Sequence, residues 1–268
     1  MAATVWKGYI SFGLVSFPVR LLAAARPKRI HFHMLHKKDL SRIKEVIYCA
    51  EEDKPITRAD VVKGYEVAKG EPVVVTAKEL KAIAPATASA MEILQFVHAS
   101  EVDPIFLESS YYVAPEEKMA KPYLLLLRAL EETKYYAVAK IAMHGREHIV
   151  MIRPAEKVLV LHTMYFVGEL QKANTPAVST REKFSAKEIE LAKTLINTLA
   201  GPFKPEIYHD EYRDNVERLI EAKKRGRKIT AVEKPKTRPV LNIMEALQKS
   251  LQASKKTAGR KTRSRRAA

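Results

Sequence analysis

The sequence predicts a β-rich α+β chain, an antiparallel barrel followed by a helical arm and a basic tail. Three observations carry that expectation. Up to about Leu170, short segments rich in β-branched and aromatic residues are separated by Pro, Gly or charged turns. After Gln171 the apolar period changes from two to 3.6. The positive charge is piled in two places instead of being spread.

The expected strands are Val5–Phe12, Val19–Leu22, Ile30–Met34, Val73–Thr76, Met91–Val97, Tyr111–Val113, Tyr135–Met143, His148–Arg153 and Val158–Phe166. Several alternate: Met91, Ile93 and Gln95 share one face of their strand, Glu92, Leu94 and Phe96 the other. Many short strands with few glycines favour an antiparallel barrel over βαβ units. Two helices interrupt them. Thr76-Ala-Lys-Glu79 has the spacing of a capping box, and Pro122 suits a first helical turn ahead of YLLLLRALEE.

Beyond Gln171, Ser185-Ala-Lys-Glu188 is a second capping box. It opens a helix with Ile189, Ala192, Ile196 and Leu199 on one stripe, stopped by Gly201-Pro202. Another helix runs from about Asp210 to Gly226, with Tyr212, Val216, Leu219 and Ile220 on one face. RKITAVEKPKTRP then reads as a linker, and Asn242-Ile-Met-Glu245 caps a short helix edged by Met244, Leu247 and Leu251. The last stretch, SKKTAGRKTRSRRAA, is too charged to order alone. The expected boundaries are 1–184 for the barrel core, 185–226 for the arm, 227–253 for linker and short helix, and 254–268 for the tail.

The formal net charge is +16, and its location matters more than its size. From Lys223 to Ala268 there are 16 Lys and Arg against two acids, whereas residues 1–222 carry 31 bases and 29 acids. Within that near-neutral body, Arg20, Arg26, Lys28, Arg29, Lys37, Lys38, Arg42 and Lys44 face a single acid, Asp39. Two concentrated positive regions are the electrostatic footprint of a polyanion ligand. The bland alternative is a solvated face plus a disordered tail. With one cysteine, a disulfide scaffold and a thiolate-rich zinc site are excluded, and a reducing compartment is expected. No export signal is visible in MAATVWKGYISFG, and no apolar run is long enough to span a bilayer.

The chemistry of known active sites is thinly represented. There is no GxxxxGK[ST] loop, GxGxxG, HExxH or CxxC. His31, His33 and His36 with Cys49 are numerous enough for zinc, but their Lys- and Arg-rich surroundings would repel a cation. The adjacent acids Glu51-Glu52, Glu116-Glu117 and Glu131-Glu132 would point to opposite strand faces and make poor acid–base pairs. No zinc-finger spacing, basic zipper or RNP-type aromatic pair reads bases. The residues by themselves therefore describe a sequence-independent duplex binder, whether along DNA or at its ends. A basic architectural protein that coats DNA and a metal-dependent nuclease are the competing classes. Covalently closed DNA separates the first, and metal-dependent strand cleavage the second.

One family is resembled along nearly the whole chain. WKGYISFGLVSFPVRL, with Trp6, Gly8, Phe12, Gly13, Leu14, Val15, Pro18 and Val19 in register, is similar to the opening strands of prokaryotic Ku, the DNA-end-binding proteins of bacterial non-homologous end joining. Leu35-His36, Arg42-Ile43, Lys63-Gly64-Tyr65-Glu66, Ile93 with Phe96-Val97, Tyr111-Tyr112, Arg146-Glu147 and Arg153-Pro154 follow in order. YHDEYRDNVERLIEAKKRG and NIMEALQKSLQ resemble that family's C-terminal modules, while Gly168 stands where an acid is expected.

The resemblance implies a homodimeric ring around duplex DNA, built from a barrel base, a bridge at about 26–75 and an arm that embraces the partner. Two limbs of about 25 residues reach about 80 Å when extended, ample to cross a duplex. Arg20, the seven other bases up to Lys44, and Lys63 would line the bore. Lys255, Lys256, Arg260, Lys261, Arg263, Arg265 and Arg266 of the tail would follow the backbone beyond it. The implied protein partner is a multifunctional ATP-dependent DNA ligase, contacted through about 204–251 by Tyr212, Arg213, Val216, Leu219, Ile220, Met244 and Leu247. The ligase would do the chemistry. No enzyme activity, cofactor or metal is expected of this chain, and its place would be the cytoplasm, at the nucleoid.

Overall fold

The computed structural model describes residues 3–83, 85, 87, 89–116, 120–171 and 184–227. The chain divides into two compact units, Met1–Ala173 and Asn174–Ala268. In chain order, the strands of the first unit are β1 (Thr4–Phe12), β2 (Val15–Ala23), β3 (Ile47–Cys49), β4 (Lys54–Ile56), β5 (Lys63–Ala68), β6 (Glu71–Val75), β7 (Ala90–His98), β8 (Leu107–Pro115), β9 (Tyr135–Met143), β10 (Arg146–Ala155) and β11 (Val158–Met164). Seven of them close a barrel in the order β1-β2-β8-β11-β10-β9-β7. Its interior is apolar: Ile10, Phe17, Val19, Leu21, Met91, Val113, Ile141, Ile152, Leu159 and Leu161 are among its fully or almost fully buried side chains. Such residues alternate with outward-facing ones because strand side chains point to opposite faces in turn.

The barrel is antiparallel except at one seam. There β1 and β7 run parallel over three residue pairs, from Tyr9–Ala90 to Ser11–Glu92. A long insertion separates β2 from β7, and the returning chain lies on the far side of β1, so the seam has the opposite sense from a hairpin. Backbones approach closely at this seam. Tyr9 N–H donates to Ser89 O at 3.1 Å, and a Cβ on Gly8 would sit 2.4 Å from that same oxygen and from the Trp6 ring. Glycine is therefore required there by space, not by backbone angle.

The helix α2 (Ala120–Thr133) packs on the barrel through Tyr123, Leu126, Leu127 and Leu130. The buried Tyr123 hydroxyl donates to Val113 O at 2.9 Å and accepts from Leu159 N–H at 2.8 Å. It thereby ties the helix to β8 and β11 together. The Tyr123 ring meets Phe17 edge-on, with centroids 6.4 Å apart.

The insertion holds two small hairpins, β3–β4 and β5–β6, then α1 (Ala77–Ala82). The expected capping box opens α1: Glu79 N–H donates to Thr76 Oγ1 at 3.2 Å, and Thr76 N–H to Glu79 Oε2 at 2.8 Å. Three strands here escaped the sequence reading. β3 and β4 are too short to show a period, and every residue of β5 is exposed, leaving no apolar alternation to detect. The β5–β6 turn is set by Gly70, at φ +84°, whose N–H donates to Glu66 Oε1.

Other expectations fail. Ile30–Met34 forms no strand. Ile43 N–H donates to Met34 O at 3.1 Å. In β7 the register slips between Ile93 and Gln95, so the alternation breaks and Gln95 is exposed. β2 and β8 run well beyond their predicted ends, and β11 stops at Met164.

In the second unit, α3 (Ala186–Leu199) opens with its predicted capping box, Glu188 N–H to Ser185 Oγ and Ser185 N–H to Glu188 Oε2. None of its residues is buried, the stripe of Ile189, Ile196 and Leu199 included. α4 (Glu211–Lys224) is capped by Asp210, which accepts from Arg213 N–H at 3.0 Å. The predicted helix at Asn242–Glu245, the linker before it and the basic tail lie outside the described residues.

Candidate nucleic-acid interface

Arg26, Lys28, Arg29, Lys37, Lys38, Arg42 and Lys44 all sit in the insertion between β2 and β3, and all are exposed. The segment from Leu35 to Arg42 folds into a compact loop. A lone bridge pairs those two residues, His36 N–H donates to Ser41 O at 2.8 Å, and Leu40 N–H to His36 O at 2.9 Å. That geometry presents Lys37 and Lys38 at the loop tip and Arg42 at its base. Leu40 adopts φ +58°, a left-handed conformation that only the surrounding bonds make tenable for leucine.

Asp39, the one acid of the stretch, serves the loop itself. Its carboxylate accepts from Ser41 N–H at 3.0 Å and lies 3.1 Å from His36 Nδ1. The Ser41 bond above all, then His36, holds its carboxyl below the usual carboxylate range. Asp39 is thus spent on its own loop. None of the seven bases has a carboxylate within ion-pair distance among the described residues. Exposed cations without carboxylate partners among the described residues are available to phosphates.

Arg20 and Lys63 stand apart from that group. Arg20 projects from β2, beside Lys7 of β1 in the ladder. Lys7 Nζ lies 2.7 Å from Glu116 Oε1, and these two cations, Lys7 first, keep the Glu116 carboxyl below its ordinary range. Arg20 is therefore part of a barrel-wall charge cluster. Lys63 begins β5, exposed, opposite Val75. The seven tail bases, Lys255 to Arg266, lie outside the described residues, as do Met244 and Leu247.

On α4, Tyr212 is exposed, Leu219 and Ile220 are partly so, and Val216 is buried. Arg213 pairs with Glu217 one turn on at 2.9 Å. Just before the helix, Phe203 and Tyr208 stack with ring centroids 5.9 Å apart, and both are largely exposed.

Among the described residues no group of three or more His, Cys, Asp or Glu side chains could hold a metal ion. One constellation has the outline of a catalytic dyad: Ser110 Oγ lies 2.9 Å from His162 Nδ1. Its polarity is wrong. Arg153 Nε donates to His162 Nε2 at 2.9 Å, so that nitrogen is the acceptor and the neutral ring carries its proton on Nδ1. Such a histidine donates to Ser110 and cannot take its proton. No spacing rule could have flagged this group, since Ser110 and His162 are 52 residues apart.

No helix among the described residues is long and apolar enough to cross a membrane.

A family model described as the Ku70/Ku80 beta-barrel domain matches residues 11–191. A protein of Solibacter usitatus named non-homologous end joining protein Ku is 60% identical over 265 residues, covering 97% of this chain and 99% of that one. A protein of the same name from Koribacter versatilis is 47% identical over 256 residues, covering 95% and 88%. The one from Archaeoglobus fulgidus is 37% identical over 256 residues, covering 95% and 100%.

Proposed function

Since the chain belongs to the Ku family of non-homologous end joining proteins, we propose that it binds double-stranded DNA ends as a ring-shaped homodimer and recruits and stimulates an ATP-dependent DNA ligase. The observation that carries this reading is the insertion after β2. Its seven bases are exposed, have no carboxylate partners among the described residues, and spring from the wall of a rigid barrel. Phosphate contacts from such cations carry affinity without sequence information. Selectivity for ends then comes from topology, because a closed ring can be threaded only by a free terminus.

The same insertion supports the dimer. Phe32, Val62, Tyr65 and Val67 are each about two-thirds exposed or more, and β3–β4 and β5–β6 are isolated two-stranded sheets. Two-stranded ribbons are marginal alone, and unpaired edges are normally covered. Pairing the insertions of two subunits would bury this surface symmetrically. The arm, with its uncovered α3 stripe, is assigned to the partner subunit, and α4 with the module to about residue 251 to the ligase. Tyr212 and the Phe203–Tyr208 stack are the exposed aromatic anchors on that side. The chain itself is a scaffold and performs no bond chemistry.

The test is a gel shift with one duplex in three forms: linear, hairpin-blocked at both ends, and covalently closed. Binding to the linear form alone is expected. Equal binding to closed circles would favour an architectural protein that coats DNA.

A further inference from the structure

Ser110, His162 and Arg153 lie in a row across three barrel strands, on β8, β11 and β10. We propose that this row is an acid-sensitive clasp at the root of the insertion: neutral His162 ties the three strands together, and protonation at Nε2 expels Arg153 and loosens β8 where the insertion begins.

The connection to the insertion runs through Ser110. Its hydroxyl meets His162, while its carbonyl accepts from Ala24 N–H at 3.1 Å, the first residue beyond β2. Ladder pairing of β2 with β8 ends one step earlier, at Ala23–Tyr111. The Ala24 bond is thus the last one fixing where the basic segment leaves the barrel.

His162 has no latitude in its partners. In the ladder it stands opposite Ser110 on β8 and Met151 on β10. Among the described residues Arg153, also on β10, is the one charged group acting on it, and Glu108, further along β8, is engaged instead with Thr163 and lies 4.0 Å from His148 Nδ1. A second proton at Nε2 would face the guanidinium head-on, with no carboxylate among the described residues to compensate. Only 9% of His162 is exposed and Arg153 is partly buried, so water screens the pair weakly. Burial first, then Arg153, pushes its pKa down from the ordinary histidine value. The sign follows. The unfolded chain takes up the proton near pH 6.5 and the folded chain resists it, so this contribution is complete above that pH. It declines as pH falls through 6.5 toward the lower folded-state value.

The experiment uses the full-length protein with isotope-labelled histidine, titrated by nuclear magnetic resonance from pH 8 to pH 5. Nitrogen shifts are expected to show the Nδ1–H tautomer at pH 7.5, with His162 titrating below 6.5. Arg153→Gln is expected to raise that midpoint by about one unit, the order expected for one adjacent charge. Exchange of the Ala24 amide, corrected for intrinsic rate, is expected to quicken in step with the His162 titration while amides in β9 stay protected. An Nε2–H tautomer, or a midpoint at or above 6.5, would overturn the clasp, and so would an Ala24 amide indifferent to the titration. The tautomer and midpoint need no variant, so they decide the matter even if Arg153→Gln fails to fold.

Discussion

Tyr123 and Gly8 show how much of the barrel depends on single atoms. The Tyr123 hydroxyl is the only change in Tyr123→Phe, yet it serves a buried carbonyl at Val113 and a buried N–H at Leu159. Losing it removes a partner from each, at a cost of about 1–3 kcal/mol, to be read as a lowered midpoint in urea with unchanged slope. At Gly8 the problem is space. A methyl group there would press on the Ser89 carbonyl and the Trp6 ring, and neither can withdraw without opening the β1–β7 seam. Gly8→Ala is expected to cost about 1–3 kcal/mol by the same measurement, whereas Gly201→Ala, whose Cβ would meet nothing within 4 Å, is expected to be nearly silent. Glycine was legible at position 8 as part of a family string, but its physical reason was not. The close approach involves Ser89, some eighty residues away, and no local pattern carries it.

The elements divide sharply in how readable they were. Strands with one buried face, such as β9, announce themselves because every second residue enters the core. The two capping boxes are local hydrogen-bond grammar and appear as predicted. The strand signal fails in the insertion, where β5 is exposed along its length and Ile30–Met34, composed like a strand, joins no ladder among the described residues. Composition nevertheless located the candidate interface, because charge density needs no periodicity to be seen. Replacing Arg26, Lys28, Arg29, Lys37 and Lys38 with Glu is expected to abolish binding to a short linear duplex and leave the circular dichroism unchanged, since none of these side chains is buried. Unaltered affinity would place the bore elsewhere. The tail is a different element with a different signature. Deletion from Ser254 removes seven bases on about 15 residues, a reach of roughly 50 Å. End binding is expected to persist, while the salt dependence on long DNA flattens by about 0.9 in log–log slope per lost phosphate contact. Identical slopes would mean that the tail touches no DNA at ~8 Å screening.

At the scale of the whole molecule, what is seen in one chain is a finished barrel carrying unfinished elements. The barrel has a dense apolar interior, while the β5–β6 hairpin, the α3 stripe and the Phe203–Tyr208 stack expose apolar surface that a stable isolated chain would cover. A second subunit and a protein partner would supply that cover. Light scattering is expected to give twice the 30.3 kDa chain mass at micromolar concentration, and a 30 kDa particle would refute the ring. Dimerisation alone, however, does not show that DNA passes through the assembly. The most direct test is to load the protein on a linear duplex, close both ends with bulky blocks, and challenge with high salt and excess competitor. A threaded ring is expected to stay on the blocked duplex and to leave when one block is cut away. Equal loss from blocked and open duplexes would contradict encirclement.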